Sequence, residues 1–209
     1  MMNHERSMWD LWMERAKPIV PVIVIDQLDD AVPLAQALVA GGVRLLEVTL
    51  RTGAGLQAIA EIKQAVPDAI VGVGTVTSAY QLEDALKQGA EFAVSPGCSS
   101  DLLACAQNWG GPYLPGVATP SEVMRAREAG FRYQKFFPAS AAGGSAMLKA
   151  LAGPFGDVVF CPTGGIGADN YRDYLALSNV FAVGGSWLTP KTAVSAQNWQ
   201  ALTSLAIAC

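Results

Sequence analysis

The chain is expected to fold as an α/β protein, a single (β/α)8 barrel of the TIM type with an extra N-terminal helix. Three observations predict it. β-like apolar runs alternate with amphipathic helical stretches along the 209 residues. The strands begin near Ile19, Val43, Ala69, Glu91, Pro112, Arg132, Val158 and Val180, so they recur every 20 to 26 residues, enough for one βα unit each. Runs such as IVPVIVI (19–25) are apolar without alternation, which fits parallel strands covered on both faces.

Taken in order, a helix around Ser7 to Ala16 fills an N-terminal segment, 1–17, ahead of the first strand. The barrel core spans 18–190, and 191–209 is expected to form one C-terminal helix. No Pro/Ser linker or shift in composition divides the chain, so 1–209 is read as one domain. A doubly wound open sheet is the alternative, but it needs a topological switch point that nothing here marks. Three of the helices end in a glycine suited to the left-handed C′ position, with a strand directly after: Ala40-Gly41-Gly42-Val43, Gln88-Gly89-Ala90-Glu91 and Ala129-Gly130-Phe131-Arg132. Five residues on from Gly42, Gly89 and Gly130 stand Glu47, Val94 and Lys135, equivalent positions of strands 2, 4 and 6. Alternate strands of such a barrel share a layer of inward side chains. Unless the matched offset is chance, Glu47 and Lys135 face each other across one pocket.

Composition removes several function classes. The chain is 51% hydrophobic with 15% charged residues and 21 glycines, which describes a well-buried globular protein. A net charge of −4 without a basic cluster argues against nucleic acid as a partner. No apolar run approaches the ~18 residues of a membrane span. The first residues carry charges where a signal peptide needs an apolar core, so no membrane partner and a cytoplasmic location are expected. Cys98, Cys105, Cys161 and Cys209 are widely spaced and lack a C-x-x-C pair, which reads as reduced thiols. With His4 the sole histidine, histidine-bound metal and triad chemistry are set aside, and no cofactor or metal is expected. Acid–base work falls to Glu, Asp, Lys, Tyr or Thr.

Lys135 lies in FRYQKFFP (131–138), an aromatic strand-like run with no other amine nearby. An ammonium among phenyl rings is poorly solvated, and desolvation favours the neutral amine that a Schiff-base lysine requires. The alternative is a lysine whose stem lies on apolar surface while its head stays in water. Glu47 stands in RLLEVTLRT (44–52), where a buried carboxylate needs a task or a partner. Arg51 is the candidate ion-pair partner; placed instead beyond the strand end, its planar fork can grip a carboxylate or phosphate at the pocket mouth. Pro162-Thr163-Gly164-Gly165-Ile166-Gly167 and Gly184-Gly185-Ser186-Trp187 follow the last two strands, where barrels frequently hold phosphate through backbone N–H groups. Gly72-Val73-Gly74-Thr75 and Ser95-Pro96-Gly97 close strands 3 and 4, either leaving room for a ligand or simply making turns. Trp109, Trp187 and Trp199 serve core packing or subunit contacts.

With these motifs in order, the chain resembles the KDPG aldolase family, the 2-dehydro-3-deoxy-phosphogluconate / 4-hydroxy-2-oxoglutarate aldolases. The resemblance covers about residues 18 to 190 and rests on LLEVTLRT (45–52), VGVGTV (71–76), SPG (95–97), LPGVATPSE (114–122), KFFPA (135–139), AGPF (152–155), FCPTGGI (160–166), NYRDYLAL (170–177) and GGSWL (184–188). It implies a metal-independent class I aldolase, a lyase on a (β/α)8 barrel and commonly a homotrimer. Such an enzyme cleaves 2-keto-3-deoxy-6-phosphogluconate reversibly to pyruvate and glyceraldehyde 3-phosphate in the Entner–Doudoroff route, with 4-hydroxy-2-oxoglutarate as a further substrate. By position, the resemblance makes Lys135 the Schiff-base lysine and Glu47 the general acid/base. It sets Arg51, Thr75, Pro96, Phe137 and Thr163 around the substrate, and Gly164, Gly165, Gly184, Gly185 and Ser186 in the phosphate-binding set. Phe136 and Phe137 are expected to keep the amine dry. The partners implied are a small keto acid and a phosphorylated aldehyde. The competing readings are a galactonate-type relative, a phosphosugar isomerase or epimerase, and a non-catalytic binder of phosphorylated acids.

Overall fold

The computed structural model describes residues 7–209, so His4 and the start of the expected 1–17 segment lie outside the described residues. Nine strands appear in chain order: β1 (Ile19–Ile23), β2 (Leu45–Thr49), β3 (Ile70–Gly74), β4 (Phe92–Val94), β5 (Tyr113–Leu114), β6 (Gly116–Val117), β7 (Tyr133–Phe136), β8 (Val159–Pro162) and β9 (Val183–Gly185). Helices fill every interval except that between β5 and β6. The helices are α1 (Met8–Met13), α2 (Ala31–Ala40), α3 (Gly55–Ala65), α4 (Ala79–Lys87), α5 (Ser100–Trp109), α6 (Pro120–Glu128), α7 (Gly144–Ala152), α8 (Tyr171–Leu175), α9 (Lys191–Ser195) and α10 (Trp199–Ile207). Gly42, Gly89 and Gly130 take φ of +87°, +91° and +90°, the left-handed geometry that stops each helix and turns the chain into the next strand.

Every ladder is parallel, in a six-stranded sheet of order β5-β4-β3-β2-β1-β9 and a three-stranded sheet β6-β7-β8. This differs from the eight equal strands expected. The fifth breaks at Pro115, which has no N–H to offer a ladder. Tyr113–Leu114 before it pairs with β4, and Gly116–Val117 after it pairs with β7. The last strand starts later than expected, because Val180 touches Phe160 only as an isolated bridge and the β9 ladder opens at Val183. The C-terminal segment is likewise two helices. Gln197 adopts φ +51° and Asn198 caps α10, its side chain accepting from the Ala201 N–H, so 191–209 bends instead of running straight.

Strand alternation sorts the core into two sets. One set of side chains, including Ile23, Leu46, Val48, Val71, Val73, Phe136 and Phe160, packs with the helices. The other, including Val20, Leu45, Phe92, Val94, Leu114 and Cys161, packs with Trp9 of α1. Trp9 is 3% exposed and its ring lies 5.5 Å from Phe92 and 5.8 Å from Phe181. α1 thus covers the end of the strands opposite the glycine turns, and its start is fixed by a capping box between Ser7 and Asp10. α10 packs on α2 so closely that a Cβ on Gly41 would lie 2.3 Å from the Ala206 Cβ. Trp109, Trp187 and Trp199 are partly buried against the core.

Because Trp9 is the buried residue of α1, Trp9→Ala is expected to lower stability by about 3–5 kcal/mol in a denaturant titration. A loss below about 1 kcal/mol would mean that α1 does not hold the floor of the strands.

Candidate active site

Lys135 on β7 and Glu47 on β2 point into the same interior, as the repeated glycine offset predicts. They are 4% and 2% exposed, and Lys135 Nζ donates to Glu47 Oε1 at 3.2 Å. Among the described residues the ion-pair partner of Glu47 is therefore Lys135, not Arg51. Val94, the third member of the repeat, lines the same interior. β3 makes room for the carboxylate: a Cβ on Gly74 would lie 2.3 Å from Glu47 Oε1, and one on Gly72 would strike the Phe92 ring. The GVG sequence is a packing requirement of Glu47 and Phe92 as much as a turn signal.

Phe137 holds its ring centroid 5.3 Å from Lys135 Nζ. Phe136 does not share that task. One residue along a strand its side chain points the other way, into the helix-facing core 6.3 Å from Phe160. The wall beside Lys135 that the sequence reading missed is Cys161, its register partner on β8. Burial pushes this thiol up to about 12, with the Lys135 charge pulling the other way, so it stays protonated and neutral near pH 7. The signal that could have found it is the matching offset of FCP against QKF once β7 and β8 are taken as neighbours.

The remaining expected residues gather at the same ends of the strands. Thr75 follows β3 with φ +60°, a left-handed conformation rare for a β-branched residue. Outliers of this kind cluster at functional sites. Pro96 approaches the backbone of β6 so closely that a Cβ on Gly116 would meet its carbonyl at 2.4 Å. Ser95 next to it is structural: its hydroxyl lies 2.6 Å from the buried Tyr113 hydroxyl and accepts from the Gly116 N–H. Thr163 is buried and bridges Gly184 in parallel register, which sets the two glycine turns side by side. A Cβ on Gly184 would lie 2.2 Å from Thr163 Oγ1, while Gly164 and Gly165 take φ of +99° and +74°. Ser186 and Arg51 are exposed and line one cavity of about 820 Å3. Lys135 and Glu47 are not in its lining, but Val22, the register partner of Glu47, is. The cavity therefore lies beside β1, the strand that neighbours Glu47 on β2. Among the described residues no three His, Cys, Asp or Glu side chains come together as a metal site would require.

Comparison with known proteins accounts for this geometry. The model of the KDPG and KHG aldolases matches residues 12–205. The chain belongs to that family. A 2-dehydro-3-deoxy-phosphogluconate aldolase of Dickeya dadantii is 55% identical over 91% of this chain and 90% of its own. A KHG/KDPG aldolase of Escherichia coli is 53% identical over 90% and 89%. Among solved structures, the KDPG aldolase of Legionella pneumophila superposes with a TM-score of 0.91 at 48% identity over 94% of this chain and 95% of that one. That structure holds pyruvate captured as a covalent carbinolamine. The match extends past residues 18 to 190 at both ends, so the family pattern also takes in α9, most of α10 and the last two residues of α1.

Two outcomes follow from the packing around the Lys135–Glu47 pair. Gly74→Ala is expected to push the Glu47 carboxylate off Lys135 and lower kcat/KM by about a hundredfold in a folded variant; parental kinetics would show that Glu47 has slack. Iodoacetamide at pH 8 should leave Cys161 unlabelled until the protein is unfolded, and fast native labelling by mass spectrometry would contradict its burial.

Proposed function

We propose that the chain is a class I aldolase that reversibly cleaves 2-keto-3-deoxy-6-phosphogluconate to pyruvate and glyceraldehyde 3-phosphate through a Schiff base on Lys135. 4-Hydroxy-2-oxoglutarate, giving pyruvate and glyoxylate, is a second substrate in this reading. The observation that carries it is the contact of a buried amine with a buried carboxylate at 3.2 Å, with no second cation on that carboxylate among the described residues. The relatives named above support it, as does the covalent pyruvate adduct of the Legionella enzyme.

Transfer of one proton along the Lys135–Glu47 bond turns an ion pair into an amine and a carboxylic acid, so the nucleophile is unmasked without a further base. The amine attacks the C2 carbonyl, and Glu47, through a water, passes protons as the carbinolamine forms and loses water. The resulting iminium withdraws electrons from C3. Glu47 and its water then take the C4 hydroxyl proton, the C3–C4 bond breaks, and the aldehyde leaves. The enamine that remains is protonated at C3 and hydrolysed to pyruvate, which returns Lys135 as the free amine. Arg51 and Thr75 hold the substrate carboxylate, while Pro96, Phe137 and Thr163 shape the space around the reacting carbons. Gly164, Gly165, Gly184, Gly185 and Ser186 offer backbone N–H groups and a hydroxyl to the phosphate. Thr163 resembles the residue of the gluconate-type members of the family more than that of the galactonate-type relatives.

The two parallel sheets are read as the wall of one closed (β/α)8 barrel forming a single domain. Two features support closure: the chain passes between the sheets through Pro115, and Thr163 bridges to Gly184 on the other side. A homotrimer, a cytoplasmic location and a place in the Entner–Doudoroff route complete the proposal; no helix among the described residues is long and apolar enough to cross a membrane.

Incubation with pyruvate and borohydride should add one reduced pyruvate to the parent, mapped to the peptide carrying Lys135, and none to Lys135→Met. An unmodified parent would sink the Schiff-base mechanism, whereas an isomerase, an epimerase or a simple binder gains no mass. Glu47→Gln should still be trapped, slowly, with turnover collapsed. Lys135→Met also leaves Glu47 buried without its partner, so it should unfold about 3 kcal/mol more easily at pH 8. Adding Glu47→Gln should recover part of that loss; no recovery in denaturation midpoints would mean that the pair is not the cause.

A further inference from the structure

We propose that Lys191 is a specificity residue for the distal phosphate of the substrate, held ready across the cavity mouth by Asp26; the inference rests on the aldolase reading above. β1 and β9 are neighbours, with Pro21 paired to Gly185, so the segments that follow them flank the same space. Asp26 leaves β1, and Ser186, Thr189 and Lys191 leave β9; all four line the 820 Å3 cavity together with Arg51. Two ties cross between these segments. Lys191 Nζ lies 3.6 Å from Asp26 Oδ2, and Gln197 Nε2 donates to Asp30 Oδ1 at 3.0 Å. The second tie is fixed: Asp30 is buried and Gln197 is locked in its left-handed turn. It holds α9 over the cavity.

The first tie is loose. Its side chains are 85% and 56% exposed, and an ion pair so well hydrated adds little to stability. Lys191 is therefore free to exchange one carboxylate oxygen for the three oxygens of a phosphate dianion. The charge balance of the cavity is consistent with such an exchange. Asp26, Asp29 and Asp30 line it against only Arg51 and Lys191 as cations, and Arg51 follows β2, on the side assigned to the substrate carboxylate. Without Lys191, a phosphate seated on Gly184-Gly185-Ser186 would meet backbone N–H groups and an uncompensated Asp26. Lys191 thus sets how strongly the site prefers a phosphorylated keto acid over one without phosphate, and Asp26 opposes it.

The full-length protein and its Lys191→Met, Lys191→Arg and Asp26→Asn variants would be titrated calorimetrically with 3-phosphoglycerate and with glycerate, probes that differ by the phosphate alone. The same proteins would be assayed on 2-keto-3-deoxy-6-phosphogluconate and 4-hydroxy-2-oxoglutarate. Lys191→Met should weaken 3-phosphoglycerate about fivefold, leave glycerate unchanged, and raise KM about fivefold for the phosphorylated substrate only, with kcat within about twofold. Lys191→Arg should restore the parental values, and Asp26→Asn should tighten 3-phosphoglycerate about twofold. An unchanged Kd for 3-phosphoglycerate in Lys191→Met overturns the proposal, as does equal weakening of both probes. So does a parent that binds the two probes alike. Failure of the borohydride trap in the parent would sink the aldolase mechanism, while the calorimetric pair still decides the phosphate contact.

Discussion

A lysine and a glutamate, both closed off from water and 3.2 Å apart, are the constraint around which this molecule is arranged. Two charges brought into an apolar interior lose far more hydration than a surface pair, so each needs the other and a close-fitting surround. The surround is visible. Gly74 gives up its side chain to the carboxylate, Phe137 lies over the amine, and Cys161 closes the wall as a neutral thiol. The ends of the interior differ: Trp9 fills one with aromatic bulk, and the glycine turns leave the other open to ligand.

The proposed function divides chemistry from recognition along the same line. The buried Lys135–Glu47 pair sits on strands β2 and β7, whose backbones are fixed by ladders to neighbours on both sides. Arg51, Thr75, Ser186 and Lys191 lie beyond strand ends, where change costs little stability, and the proposed function gives them the binding of substrate. Thr75 shows the tension between the two: its left-handed backbone is strained for a threonine, yet it stands directly after the glycine that accommodates Glu47.

Much of this was legible beforehand. The spacing of apolar runs located the start of every strand but β6 to within three residues, because a strand buried on both faces must be apolar throughout its length. The offset from helix-stopping glycines paired Glu47 with Lys135, since a left-handed glycine sets the start of the strand and strand alternation then decides which way each side chain faces. That alternation also argues against Phe136 as a shield for the amine, although the aromatic cluster around Lys135 invited both phenylalanines. Pro115, as a residue without an N–H, divides the fifth ladder between two sheets.

The sequence by itself determined the α/β pattern, the parallel strands and the one lysine and one glutamate able to share an interior, because periodicity and local turn chemistry act over a few residues. Only the tertiary structure decided that Cys161 walls the amine, that Gly74 is emptied for a carboxylate, that the C-terminal segment bends at Gln197, and that Asp26 meets Lys191. Each of those depends on residues far apart in the chain. Their approach is set by how strands pair and helices pack, which no local pattern encodes.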